Sequence, residues 1–225
     1  MNKEYRIFGI PIWEKREYGT LKEPSQKLID VLGGSATDSG VPVNAKNITS
    51  ISAVWRAVNI LSGTLASFPC KLYKSDGDNR QPLPTHPLQL LLKNPNRLMT
   101  DFIFRETTQA LLLLWGNAYA VIQRNETTGR PQELIMVHPD LVDVSKFEGR
   151  LRYQVTIDNK SFMVSDTDML HIPGPGFDGL KGKSIITIAR ESMGLTLAAQ
   201  KFGARFFGNG ANMDGALEVP DVLTD

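Results

Sequence analysis

The 225-residue chain has one cysteine, Cys70, three histidines and no long hydrophobic run, and each scarcity closes off a class of protein. A single thiol cannot build an internal disulfide framework, and such cysteine usage fits a reducing compartment. His86, His138 and His171 are dispersed, with no HxH or HExxH spacing and no second cysteine to join Cys70, so no metal site has a sequence signature. The only long apolar run, Ala110–Trp115, is far too short to span a bilayer, and the opening MNKEYRIFGIPIW lacks the apolar segment of a signal peptide. The chain reads as soluble and cytosolic. Excess charge is missing too: 25 Lys and Arg stand against 24 Asp and Glu, a formal charge of +1. No global field marks a nucleic-acid or membrane binder, so any basic surface has to arise from local clustering. No internal repeat or low-complexity tract marks a solenoid.

What is present is organised around Asp101–Arg124. Asp101 suits an N-cap, and Ile103, Phe104, Thr107, Ala110, Leu111, Leu114 and Trp115 recur at helical spacing until Gly116 ends the run. From Leu111 to Trp115 every residue is apolar, which predicts a core helix covered on nearly all sides. A strand over Tyr119–Ile122 follows, ending in turn residues between Asn125 and Pro131. Upstream, residues 1–47 mix charge with Gly33, Gly34, Gly40 and Pro42 and read as a flexible arm holding one short helix near Ser25–Leu32. Thr49 or Ser50 would cap a helix with Ile51, Val54, Trp55, Val58, Leu61 and Leu65 on its core face, leading directly into a strand over Phe68–Tyr73. Ser75–Pro84 reads as an exposed loop, and His86-Pro87 opens a short helix that Asn94-Pro95 ends. Beyond Pro131 the period falls to two, giving short strands at 134–137, 141–144, 153–157, 162–164 and 169–172. The predicted fold is α+β, with core helices and a small, mostly antiparallel sheet. Trp55, Trp115 and Tyr119 are spaced as core residues rather than as base-stacking platforms.

Residues that suggest chemistry have simpler structural readings. Asp166 and Asp168 resemble paired acid/base carboxylates but fit a polar turn before a strand, and His171 fits an outward or hydrogen-bonded strand residue. No GxSxG elbow occurs, and Ser184 reads as a helix cap rather than a nucleophile. Gly174, Gly176 and Gly179 satisfy GxGxxG, and Gly182-Lys183-Ser184 is similar to the end of a Walker A loop. A dinucleotide fold would begin its helix within the glycines after a parallel strand. Here Pro175 interrupts the motif, the sheet reads antiparallel, and Phe177 holds the position of the first Walker glycine. A connector is the simpler reading, with a nucleotide-binding enzyme using the Gly174–Gly182 loop as the alternative.

From Ser184 one long helix is predicted to run to Phe207. At about 100° per residue, Ile188, Leu195, Ala199, Phe202 and Phe206 share a narrow sector, while Lys183, Arg190, Lys201 and Arg205 cluster opposite. Glu191 is the only acid on this helix.

Several stretches resemble, in order and spacing over residues 50–215, the HK97-like portal proteins of tailed bacteriophages. They are Ser52–Val58 through Ile60 and Leu65 to Phe68–Tyr73; His86-Pro87-Leu88 with Leu91-Leu92 and Pro95-Asn96; and Gly116-Asn117-Ala118-Tyr119-Ala120. Leu134–Pro139 with Val142, Tyr153, Asp168–Ile172, and Gly179 through Gly182-Lys183-Ser184 into the helix ending at Gly208-Asn209-Gly210 complete the set. The resemblance implies a structural protein without catalytic residues, cofactor or metal. It implies a homo-oligomeric ring, a dodecamer in the family, at the capsid portal vertex. Double-stranded DNA would pass through it without sequence preference. The terminase large subunit, the major capsid protein or scaffold, and the head–tail adaptor would be its partners, with no membrane involved. The location would be the virion, and the host cytoplasm during assembly. Residues 48–183 would form a wing-like domain, 184–207 a stem-type helix, and 208–225 the start of a clip-type region that breaks off, because family members are longer. Lys183, Arg190, Lys201 and Arg205 would face the DNA channel or a charged neighbour, and the apolar face would pack on its own wing or a neighbouring subunit. A monomeric interaction module retaining the wing fold is the remaining alternative.

Overall fold

A computed structural model describes residues 6–7, 10–11 and 37–211, apart from 78, 159 and 177. The helix predicted near Ser25–Leu32 and the region beyond residue 211 lie outside the described residues. A two-stranded pairing of β1 (Arg6–Ile7) with β2 (Ile10–Pro11) precedes the main body.

The first helix, α1 (Ala45–Ile48), is fixed by a capping box: Asn44 accepts from the Asn47 amide, and the Asn47 side chain accepts from the Asn44 amide. Thr49 and Ser50 do not cap the next helix. Their hydroxyls donate back to the carbonyls of Lys46 and Asn47 and close α1 instead, leaving α2 (Ser52–Ser67) to start at Ile51 without a side-chain cap. The core face of α2 matches the predicted one at Ile51, Val54 and Val58 and departs from it further along. Val58, Ser62 and Ala66 are buried, whereas Trp55, Leu61 and Leu65 are 51%, 52% and 48% exposed. Small residues at 62 and 66 let the neighbouring helix approach closely, and Ser62 satisfies its hydroxyl on the Val58 carbonyl. A strand does not follow directly. Leu72 donates its amide to Gln89 Oε1, and Gln89 Nε2 donates to the Cys70 carbonyl, so a side chain takes the place of a partner strand. The predicted loop instead contains a hairpin, β3 (Tyr73–Asp76) with β4 (Asn79–Pro82).

His86 Nδ1 caps α3 (Pro87–Lys93), which ends at Asn94. The central helix is α4 (Asp101–Trp115), and its N-cap is Thr100 rather than Asp101. Asp101, one residue inside the helix, pairs with Arg105 at 2.9 Å. Leu111 and Leu114 are buried and Leu112, Leu113 and Trp115 half-buried, so the apolar second half is covered as predicted.

Two three-stranded antiparallel sheets replace the single sheet. One has the order β10 (Met169–Pro173), β5 (Asn117–Arg124), β6 (Pro131–Val137); the other is β7 (Val142–Phe147), β8 (Arg150–Ile157), β9 (Lys160–Ser165). Tyr119, Val121, Val137, Tyr153, Val155 and Val164 fill the space between them. Leu91 and Phe104 cover the other face of the first sheet through Ala120 and Leu134. A third cluster joins Ile51, Val58 and Leu114 to Ile186 and Leu197 of the C-terminal helices. Val41 and Val43, within the stretch read as a flexible arm, are buried in this cluster.

The long helix predicted from Ser184 is two. Ser184 caps α5 (Ile185–Ile188), the chain bends at Ala189, and α6 runs Arg190–Gly208. The β-branched run Ile185–Ile188 has weak helix propensity, and the Ala189 carbonyl accepts from Ser192 Oγ at the restart.

Candidate functional site

Three backbone segments cross at the root of the C-terminal helices, each at a glycine. Gly116 adopts the left-handed conformation (φ 75°) that ends α4. Its carbonyl accepts from the Gly174 amide at 2.8 Å. A Cβ on Gly182 would lie 2.1 Å from the Gly116 oxygen, and one on Gly174 2.9 Å from it. Only glycine permits such an approach. Ser184 Oγ donates to the Leu114 carbonyl, satisfying one of the orphan acceptors at the end of α4 while it caps α5.

Asn117, buried at 5% exposure, fixes this crossing to the sheets. Its Oδ1 accepts from the Gly182 amide and its Nδ2 donates to the Gly182 carbonyl, both at 2.8 Å. His171 Nε2 lies 3.1 Å from the same Oδ1, and His171 Nδ1 lies 3.2 Å from the Tyr153 hydroxyl. Tyr119 stacks on the imidazole at 4.5 Å. Burial, with the nearby Lys181 ammonium adding to it, lowers the His171 pKa to about 4, so the ring is neutral at pH 7. Burial likewise raises the Tyr119 and Tyr153 hydroxyls.

Among the described residues of the glycine-rich loop, five amides that a phosphate cradle would use are already engaged: Gly174 on Gly116, Gly182 on Asn117, Lys183 on Pro175, and Leu180 and Lys181 on the Asp178 carboxylate. The last two bonds hold the Asp178 pKa below the usual carboxylate range. Asp178 thus fills with its own carboxylate the position an anionic ligand would take. Asp168 is also engaged, in an ion pair with Arg124 at 2.8 Å.

Of the basic residues, Lys183 lies exposed in the loop before α5, and Lys201 and Arg205 are exposed on α6. Arg190, at the start of α6, is half-buried, and its Nε is the buried side-chain nitrogen without a hydrogen-bond partner among the described residues. The helix meets the body through Gly194 and Leu197. A Cβ on Gly194 would fall 2.5 Å from Thr37 Oγ1, and Glu191 accepts from the Asp38 amide at 3.0 Å. A shallow groove of about 260 Å³ between α6 and the 41–50 segment is lined by Val41, Leu197 and Lys201. Ile188, Leu195 and Phe202 therefore point away from the described body, 67%, 65% and 72% exposed, and Phe202 stacks on Phe206. Among the described residues this apolar face has no packing partner; a glycine provides the closer contact, and hydrophobicity along the sequence gives glycine no weight.

Sequence reasoning missed Asn117 and the coupling of His171 to Tyr153. The signals were a polar residue directly after a helix-ending glycine and a histidine inside the apolar run Met169–Ile172. Among the described residues, no helix is long and apolar enough to cross a membrane.

The portal protein of Enterobacteria phage HK97 is 34% identical over 187 residues, covering 81% of this chain and 44% of that protein. The probable portal protein of Streptomyces phage phiC31 is 34% identical over 214 residues, covering 90% and 46%. This chain thus spans about half the length of the curated relatives it matches. The neck of the gene transfer agent particle, solved empty with C6 symmetry and native with C12 symmetry, gives TM-scores of 0.61 and 0.57 at 20% and 19% identity. Those alignments cover 87% and 89% of this chain and 48% and 56% of the neck chains, and they establish a shared fold. Residues 52–225 match the phage portal protein family, and with the two phage relatives above 30% identity this chain belongs to that family.

Proposed function

We propose that this chain is a subunit of the ring at a capsid portal vertex, through which double-stranded DNA is packaged and ejected. The terminase large subunit, the capsid or scaffold and the head–tail adaptor are its protein partners, and the virion is its place after assembly in the host cytoplasm. The observation that carries the reading is family membership over residues 52–225. The geometry of α6 supports it. A helix with an exposed aromatic stripe on one side and basic residues on another suits a ring subunit, with the stripe against the neighbouring copy and the charge toward DNA. DNA that slides requires weak contacts to phosphate, independent of sequence, and Lys183, Arg190, Lys201 and Arg205 are the residues assigned to them. In this reading residues 48–183 are the wing, 184–207 the stem and 208–225 the start of the clip. The role is structural, with no catalytic step.

Mass measurement and negative-stain imaging test the proposal, on this chain and on the chain extended to the length of its phage relatives. A ring with a central hole is the expected product. A monomer in both forms at every concentration would refute it.

A further inference from the structure

The bonds at the crossing have one consistent direction. Because the Gly182 amide can only donate, it fixes Oδ1 of Asn117 as its acceptor, and Nδ2 then donates to the Gly182 carbonyl. His171 must therefore carry its proton on Nε2 to donate to the same Oδ1, which leaves Nδ1 to accept from the Tyr153 hydroxyl. The chain Tyr153 to His171 to Asn117 to Gly182 starts on β8 of the second sheet and ends two residues before Ser184, the cap of α5. Two tyrosines flank the imidazole. Tyr119 stacks on one face at 4.5 Å, and Tyr153 meets its edge at 5.5 Å. Packing alone needs no such order: the apolar residues of the same cluster fill the space between the two sheets.

We propose that Tyr153, His171 and Asn117 form a positioning relay that transmits the placement of the β7–β9 sheet to the root of the α5–α6 helices. The glycine crossing makes the transmission stiff, since Gly116, Gly174 and Gly182 touch backbone to backbone and leave no slack for Gly182 to shift alone. The relay also has a defined breaking point. A proton added to His171 Nδ1 removes the acceptor that Tyr153 uses. The charged and titratable groups facing His171 are Tyr119, Tyr153 and Lys181, the last paired with Asp143 at 2.9 Å. That the relay aims a channel helix within a ring rests on the function proposed above. The relay itself belongs to the single chain, so either reading can fail alone.

Hydrogen exchange of the whole chain, read by mass spectrometry, tests it. Tyr153→Phe keeps the ring and deletes the hydroxyl. It should speed exchange of the 174–184 segment about fivefold, with α2 and α4 unchanged. Asn117→Ala should speed the same segment about tenfold or more, and Tyr153→Phe should add nothing in that background. In the wild-type chain, protection of this segment should step down as His171 protonates, and the step should be absent in Tyr153→Phe. A Tyr153→Phe effect confined to β8 and β10 would overturn the relay, as would additive effects of the two substitutions. If Asn117→Ala loosens α2 and α4 as well, the pH step in wild type against Tyr153→Phe decides alone.

Discussion

Replacing Gly182 with alanine places a methyl group where three backbone atoms already stand. The new Cβ would lie 2.1 Å from the Gly116 oxygen, 2.5 Å from the Gly174 nitrogen and 2.8 Å from the Gly174 oxygen. None is the end of a flexible side chain, so the crossing has to open by roughly an ångström to restore ordinary contact distances. That opening stretches three hydrogen bonds of 2.8 Å: Gly174 to Gly116, and the two between Asn117 and Gly182. At about 1 kcal/mol each, with added cost for leaving the buried Asn117 amide unsatisfied, the loss is about 3–5 kcal/mol. Gly179 in the same loop is the control. Its φ of 69° disfavours alanine, but nothing lies within 4 Å of the added carbon, so Gly179→Ala should cost about 1 kcal/mol through strain alone. Urea unfolding of both variants at equal slope measures the difference directly. If the two glycines cost the same within 1 kcal/mol, the crossing is not the tight junction described here.

Three further outcomes follow from the same geometry. His171 titrates near 4 when folded and near 6.5 when unfolded, so the unfolded chain takes the proton first and stability falls as pH drops from 6.5 to 4. The full difference is worth about 3 kcal/mol, which screening at a half-buried ring reduces to about 1–2 kcal/mol; urea midpoints across that range should lose this component in His171→Gln, and an unchanged profile would count against an imidazole held neutral by the fold. Leu195→Ser and Phe202→Ser should leave the unfolding free energy of the isolated chain within about 0.5 kcal/mol while abolishing ring formation, whereas Leu197→Ala should cost about 2–4 kcal/mol in the monomer. Glutamine at Lys183, Arg190, Lys201 and Arg205 should lower the salt slope of DNA binding by the assembled protein by about 2–4, and an unchanged slope would remove these residues from the DNA path.

The elements with strong local signals were legible. Thirteen prolines, the helix-ending Gly116 and the two-residue period after Pro131 mark most boundaries, because these constraints act on the backbone within a few residues. Capping was less legible. Thr49, Ser50 and Asp101 all favour caps by type, yet Thr49 and Ser50 close the preceding helix and Asp101 pairs with Arg105. Which helix a hydroxyl serves depends on a register that a cap preference does not set. The apolar stripes of α2 and α6 lie only partly in the core of the described residues, for a shared reason. Both helices meet their neighbours through small residues, Ser62 and Ala66 on one and Gly194 on the other, and leave larger apolar side chains exposed. Close backbone approach is a property of two surfaces, while a hydrophobic stripe describes only one.

The sequence by itself determined the family, the α+β class, the central helix and the following Gly116-Asn117 turn, since each rests on residue type and spacing along one stretch. Only the tertiary structure decided what that turn does. It brings Gly174 and Gly182, 58 and 66 residues further along the chain, against Gly116, and it turns Asn117 toward His171 and the loop before α5. It also engages the amides of Gly174, Leu180, Lys181, Gly182 and Lys183 in a glycine-rich stretch that resembles a phosphate loop. A hydrogen-bonding group shows in the sequence as a capacity; whether it meets a ligand or its own chain is set by segments that converge only on folding.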